Sequence, residues 1–161
     1  MQHRELTTAG VGGINLFAQA WLPGIAPRAV IVVSHGLAEH GGRYETLARE
    51  LVQREYAVYA VDHRGHGRSS GPRANIERFA HLVADFCAFT DRCAGEHPAT
   101  PVFMLGHSMG GAVAFASALR LQHMLRGLAL SAPALATDQP VPRLQEMFVR
   151  LLSVVAPGTG A

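Results

Sequence analysis

Apolar and polar residues alternate over residues 4–8 and again over 15–21, around the turn Gly10-Val11-Gly12-Gly13, which predicts an antiparallel hairpin. The pattern then changes. "RAVIVVSHG" (28–36) is a continuous apolar run, as expected of a parallel strand covered on both faces. Leu47, Leu51 and Val52 share one face of a predicted helix over 43–54, and "YAVYAVD" (56–62) reads as a second buried strand. After a Gly/Arg/Ser loop, Phe79, Leu82, Val83, Phe86 and Phe89 recur at three- and four-residue spacing, predicting a helix over 76–94. "TPVFMLGHS" is a further strand, 109–122 a helix, and "GLALSAP" (127–133) one more strand. Strands alternating with helices behind an opening hairpin imply an α/β fold with a mostly parallel sheet and helices on both faces.

The last strand has no visible partner on its outer side, which is an aggregation hazard in a compact domain. Beyond it the pattern is again helical: Leu144, Met147, Phe148, Leu151 and Leu152 form a stripe, with Arg143, Glu146 and Arg150 off it. We therefore divide the chain into a core, 1–137, and a distinct tail, 138–161.

Composition narrows the function. At 48% hydrophobic and 16% charged residues the chain suits one globular domain, and a net charge of +2 with no basic run argues against a nucleic-acid partner. All 14 basic residues are arginine. The absence of lysine removes the Schiff-base lysine of pyridoxal enzymes and the phosphate-binding lysine of P-loop sites. The N-terminus is polar where a signal peptide would be apolar, and no apolar window is long enough to span a bilayer. Cys87 and Cys93, six residues apart on one predicted helix, lie about 9 Å apart along its axis on different faces and cannot form a disulfide. A reducing, cytoplasmic setting is expected.

The chemistry concentrates at "VFMLGHSMGGAVAFASAL" (102–119), where a Gly-x-Ser-x-Gly turn joins strand to helix. That context is the one a nucleophile elbow requires, with Ser108 as nucleophile. The following helix points its N-terminal N–H groups at any anion forming beside Ser108, so Met109 N–H is the first oxyanion donor. A second donor is expected from the loop after the third strand, "SHGLAEHGG", where Leu37 is placed to supply it. His63-x-x-His66 with Asp62 has the look of a metal pair, and Gly65-x-Gly67 that of a dinucleotide loop; both signals are weak, and no metal site is assigned.

On three blocks, "SHGLAEHGGRY" (34–44), "VDHRGHGRSSGPR" (61–73) and "LGHSMGGAVAF" (105–115), with support from "LSAPAL" (130–135), the chain resembles an α/β-hydrolase of the monoacylglycerol lipase and lysophospholipase-like branch. The resemblance implies the α/β-hydrolase fold and hydrolysis of carboxylic esters such as monoacylglycerols through a serine acyl-enzyme, with no cofactor. Ser108 is then the nucleophile, and Leu37 and Met109 the backbone oxyanion donors. Asp62 and Arg64 hold the loop after the fourth strand. The tail becomes the start of a lid, suited to brief contact with a lipid surface; packing its apolar stripe on the body fits the pattern equally well. Oligomeric state is left open.

One part of the family pattern is missing. The triad acid and histidine of this fold follow the serine on later loops. Here only Asp138, Glu146 and His123 follow it, and His123 lies fifteen residues on, roughly 22 Å along the helix that Ser108 begins. His107 adjoins the serine but points to the other side of its strand. His35, His40 and His66 are placed near the mouth of the site, held there by backbone hydrogen bonds. The expectation is a chain truncated inside its lid after about six strands, with little turnover of its own. Two rivals stand beside it. One is a non-catalytic module that pairs its open strand with another chain; the other is an α/β-hydrolase with different chemistry, such as a serine peptidase.

Overall fold

A computed structural model describes residues 1–135. The core/tail boundary and the amphipathic stripe of the tail lie outside the described residues. Among the described residues six strands form one sheet in the order β1-β2-β4-β3-β5-β6: β1 Gln2–Ala9, β2 Asn15–Leu22, β3 Ala29–Ser34, β4 Tyr56–Val61, β5 Val102–His107 and β6 Leu125–Ser131. The hairpin β1–β2 pairs antiparallel along its whole length, Gln2 opposite Leu22 and Ala9 opposite Asn15, and β2 runs antiparallel to β4. From β4 through β3 and β5 to β6 all pairings are parallel.

The helices fall on both faces, as the doubly apolar strands require. Helices α2 (Phe79–Gly95) and α3 (Met109–Arg120) cover one face, burying Leu82, Val83, Phe86, Phe89, Val113 and Ala114 against Val30, Val32, Tyr59 and Met104. On the opposite face α1 (Glu45–Gln53) packs Ala48 and Val52 over Trp21, Val33, Val58 and Ala60. Alternation along β5 sorts its side chains between the two layers: Val102, Met104 and Gly106 are buried toward α2 and α3. Leu105 packs against the α1 layer, and Phe103 and His107 share its face by the period-2 rule. Beyond Leu105 the α1 face stays open, as a groove lined by Ile31, Leu51, Phe103 and Leu128.

The predicted elements match these, with differences at their ends. Helix α2 begins at Phe79 rather than at residue 76, because turns run through Ala74, at φ 50°, and Arg78 is still extended. Ile76 nevertheless packs on the core from that loop. Among the described residues strand β6 lies at the sheet edge, as expected, but it is set two residues earlier than predicted; its pairing starts at Leu125 opposite Val102, with a register shift before Phe103. Both cysteines lie on α2 and are free.

Candidate active site

Ser108 joins β5 to α3 at φ 51°, ψ −121°, a conformation that a residue with a side chain rarely adopts. Such strain costs about 1–3 kcal/mol and persists only where the surroundings enforce it. Here the clamp is visible. Ser108 N–H donates to Ser131 O at the end of β6 (3.0 Å), and Ser108 O accepts from Gly111 N–H (2.9 Å), Ala112 N–H (3.2 Å) and Ala134 N–H (2.9 Å). The Ser108 side chain makes no capping bond to α3, so its hydroxyl is not committed to the helix it begins. Met109 N–H is the first donor of that helix and has no carbonyl one turn back to take.

Two glycines let α3 start this close. A Cβ on Gly106 would sit 2.6 Å from Gly110 O and 2.7 Å from Ala114 Cβ, and a Cβ on Gly110 would run into the carbonyl oxygens of Ser34 and His35. Gly110 is therefore needed less for the turn itself than for the contact between α3 and the end of β3. Gly111 faces Pro133, 2.8 Å from where its Cβ would be, so it admits the chain leaving β6.

The loop after β3 lies alongside. Ser34 is opposite Gly106 in the β3–β5 ladder, and Gly36 is packed against the His107 ring. Leu37 follows, its side chain exposed. The fold thus brings Leu37, Ser108 and Met109 to one corner, at the C-terminal ends of two adjacent parallel strands, where ligands of open α/β sheets bind. Glu39 closes the loop from below: its carboxylate accepts Gly36 N–H at 3.0 Å and the Tyr44 hydroxyl at 3.2 Å. Burial pushes the Glu39 pKa up, but the Gly36 N–H, Arg43 and Tyr44 outweigh it and hold it below the usual carboxylate value.

The loop after β4 supports this corner. Asp62 accepts Gly41 N–H (2.6 Å) on one oxygen and Arg68 N–H (2.8 Å) on the other, tying the loops after β3 and β4 together. Arg64 reaches Asp85 of α2 through two bonds, Nε to Oδ2 at 2.8 Å and a terminal nitrogen to Oδ1 at 3.0 Å. Both residues have the structural role expected of them. Asp85 went unremarked in the sequence, though one carboxylate on the apolar face of α2 was the signal that a buried cation lies opposite.

His35 and His66 are buried beneath the corner rather than lining its mouth, while His40 is exposed. His35, His63 and His66 cluster, with ring centroids 4.5 Å (His35–His63) and 5.4 Å (His35–His66) apart. Burial pushes the His35 pKa down to about 4, against the raising effect of its bond to the Gly36 carbonyl. Burial, then His35 and His66, holds His63 well below the usual imidazole value. In the unfolded chain His35 titrates near its ordinary value of 6.5. Between that pH and about 4 the unfolded chain therefore binds the extra proton. The contribution is complete above 6.5 and is lost as pH falls toward the folded value. From pH 8 to 5, His35 alone lowers stability by about 2 kcal/mol, and His63 adds in the same direction. Urea midpoints at pH 8, 6.5 and 5 measure this; a flat profile would contradict it.

Two histidines lie near Ser108 in sequence. His107 Nδ1 is bonded to Ser131, 3.1 Å from its carbonyl oxygen and 3.2 Å from its hydroxyl, on the α1 side of the sheet as expected. His123 is exposed beyond the far end of α3. Among the described residues no helix is long and apolar enough to cross a membrane.

The family model for serine aminopeptidase, S33, matches residues 25–161. The chain belongs to this family. Its fold is that of the α/β-hydrolases. It is 39% identical to a monoacylglycerol lipase of Mycolicibacterium smegmatis over 154 residues, which is 96% of this chain and 55% of that protein. It is 40% identical to human monoglyceride lipase over 146 residues, 90% of this chain and 48% of that protein. Among solved structures, a thermostable carboxyl esterase from Bacillus coagulans superposes with a TM-score of 0.77 at 26% identity, covering 99% of this chain and 52% of its own. The chain spans about half the length of the curated relatives it matches.

Proposed function

We propose that Ser108 is the nucleophile of a serine hydrolase of carboxylic esters, of the monoacylglycerol lipase kind. The observation that carries this reading is the conformation of Ser108, held at φ 51°, ψ −121° between β5 and α3 with its side chain free of the helix cap. Ser108 Oγ attacks the ester carbonyl and gives its proton to a histidine, and the oxyanion is held by Met109 and Leu37 N–H. Collapse passes that proton to the leaving alcohol, and water then releases the fatty acid from the acyl-enzyme. In this reading residues 1–137 form the catalytic core and 138–161 begin a lid over the acyl pocket. The substrate is a lipid ester, met in the cytoplasm or at a membrane surface. The same geometry serves ester and amide alike; the monoacylglycerol and monoglyceride lipase relatives favour the ester.

Because neither His107 nor His123 serves Ser108, the 161-residue chain by itself is expected to turn over slowly at best. An oxyanion hole without its triad partners retains only about 10³–10⁴-fold over water. Fluorophosphonate labelling, read by intact mass, tests the assignment. One adduct is expected, forming slowly, faster with added imidazole as a surrogate base, and absent from Ser108→Ala. A folded chain that takes no adduct with or without imidazole would sink the assignment of Ser108. Paired with a dimer that protects the β6 edge, that outcome would instead favour a binding module.

A further inference from the structure

Backbone donors of this kind depend on which way one peptide plane faces, and the plane that matters at Leu37 has a visible restraint. Leu37 N–H belongs to the same peptide unit as Gly36 C=O. In a trans peptide these two groups point in opposite directions, and no cis bond occurs among the described residues. Whatever fixes the carbonyl therefore fixes the N–H.

The Gly36 carbonyl is held from the interior. His35 Nδ1 lies 2.7 Å from it, and Glu39 N–H donates to it at 3.3 Å. The proton position on His35 follows from its other nitrogen. His63 N–H, a backbone donor, points at His35 Nε2 from 2.9 Å, so Nε2 must accept and Nδ1 must carry the hydrogen. The His35 ring is fully buried, so the Gly36 carbonyl faces inward and Leu37 N–H faces outward. His63 is itself anchored, its Nε2 2.8 Å from Ser34 Oγ. Gly36 N–H is already taken by Glu39 and so does not compete with Leu37 N–H on this side of the turn.

We propose that His35 is a positioning residue: as a neutral Nδ1–H tautomer it turns the Gly36–Leu37 peptide so that Leu37 N–H faces the carbonyl undergoing attack at Ser108. A second proton on Nε2 opposes the His63 N–H and breaks this arrangement. The groups facing His35 are His63, His66 and Asp62 from the loop after β4 and Glu39 from its own loop. The two imidazoles oppose a charge on His35 and the two carboxylates favour it. The inference rests on the assignment of Leu37 as an oxyanion donor; fluorophosphonate labelling tests that assignment, and the experiment below tests the positioning, so the two can fail separately.

The test reads the direction of the Leu37 N–H bond as a residual dipolar coupling in the weakly aligned 161-residue chain. His35→Asn keeps an amide N–H near the Nδ1 position and loses the acceptor for His63. His35→Gln keeps an acceptor near Nε2 and loses the donor to Gly36. The Leu37 coupling is expected to stay in place in His35→Asn and to shift in His35→Gln, with couplings in β3 and β5 unchanged in both. A role in filling space predicts the reverse, since glutamine is the larger residue. A Leu37 coupling that His35→Gln leaves in place, or that both variants move alike, overturns the inference. Should either variant fail to fold, the wild-type chain decides. Long-range ¹H–¹⁵N spectra are expected to show His35 protonated on Nδ1 and bare on Nε2, without change from pH 8 to 5.5. A proton on Nε2 anywhere in that range overturns it.

Discussion

Asp85→Ala is expected to lower the stability of the chain by about 3–5 kcal/mol, the range for removing one partner of a buried ion pair. The Asp85 side chain is 3% exposed and that of Arg64 13%. Asp85 Oδ1 also accepts Val11 N–H at 2.7 Å, so one carboxylate holds α2, the loop after β4 and the turn of the hairpin. Its loss strands a guanidinium in a nearly dry site together with a backbone donor. The pair as a whole is another matter, because desolvating both charges costs much of what their attraction returns. Replacing both, with Asp85→Leu and Arg64→Met, is therefore expected to cost less than Asp85→Ala alone. Urea midpoints of the three chains measure the difference. A single-variant loss under about 1 kcal/mol, the size of an exposed pair, would show that water reaches the site.

Gly110→Ala is the second large effect. The new methyl collides with the carbonyl oxygens of Ser34 and His35, which are backbone and cannot rotate away. Relief requires α3 to lift from the end of β3, at a cost of about 3 kcal/mol or more, the upper end for overpacking. Gly95→Ala is the control: its methyl meets nothing within 4 Å, and in the last turn of α2 it is expected to add about 0.5–1 kcal/mol. Fluorophosphonate labelling at Ser108 should fall with Gly110→Ala and hold with Gly95→Ala. Equal midpoints for the two variants would mean that the close approach of α3 to β3 is not tight in solution.

The layered sheet and its helices were legible because the period of apolar residues reports burial. Buried runs such as "RAVIVV" have only one use in a domain of this size, and Gly-x-Ser-x-Gly between strand and helix located the corner. The sequence does not carry partners that meet through space. Asp85 stands among apolar residues with nothing nearby in the chain to explain it; Arg64, 21 positions earlier, is the reason. His35 and His66 sit in loops beside the serine turn and so resemble mouth residues, yet backbone bonds draw both rings inward: His35 to Gly36 O, and His66 Nδ1 to Arg64 O at 2.9 Å. Their burial depends on the loops after β3 and β4 being tied together by Asp62, which no local pattern announces.

The β3–β5 ladder places Val30 opposite Val102 and Ser34 opposite Gly106, and the chain between them forms α1, β4 and α2. Leu37 and Ser108 thus share a corner only after a closure spanning just over half the described chain, a pairing of high contact order that forms slowly. A partly folded species can hold the hairpin, α2, or even the tight turn at Ser108, and still leave Ser108 apart from the loop that carries Leu37. A probe that reacts only with the assembled corner therefore times that one distant closure, and its onset after dilution from denaturant separates chains that are merely compact from chains whose sheet has zipped through its centre.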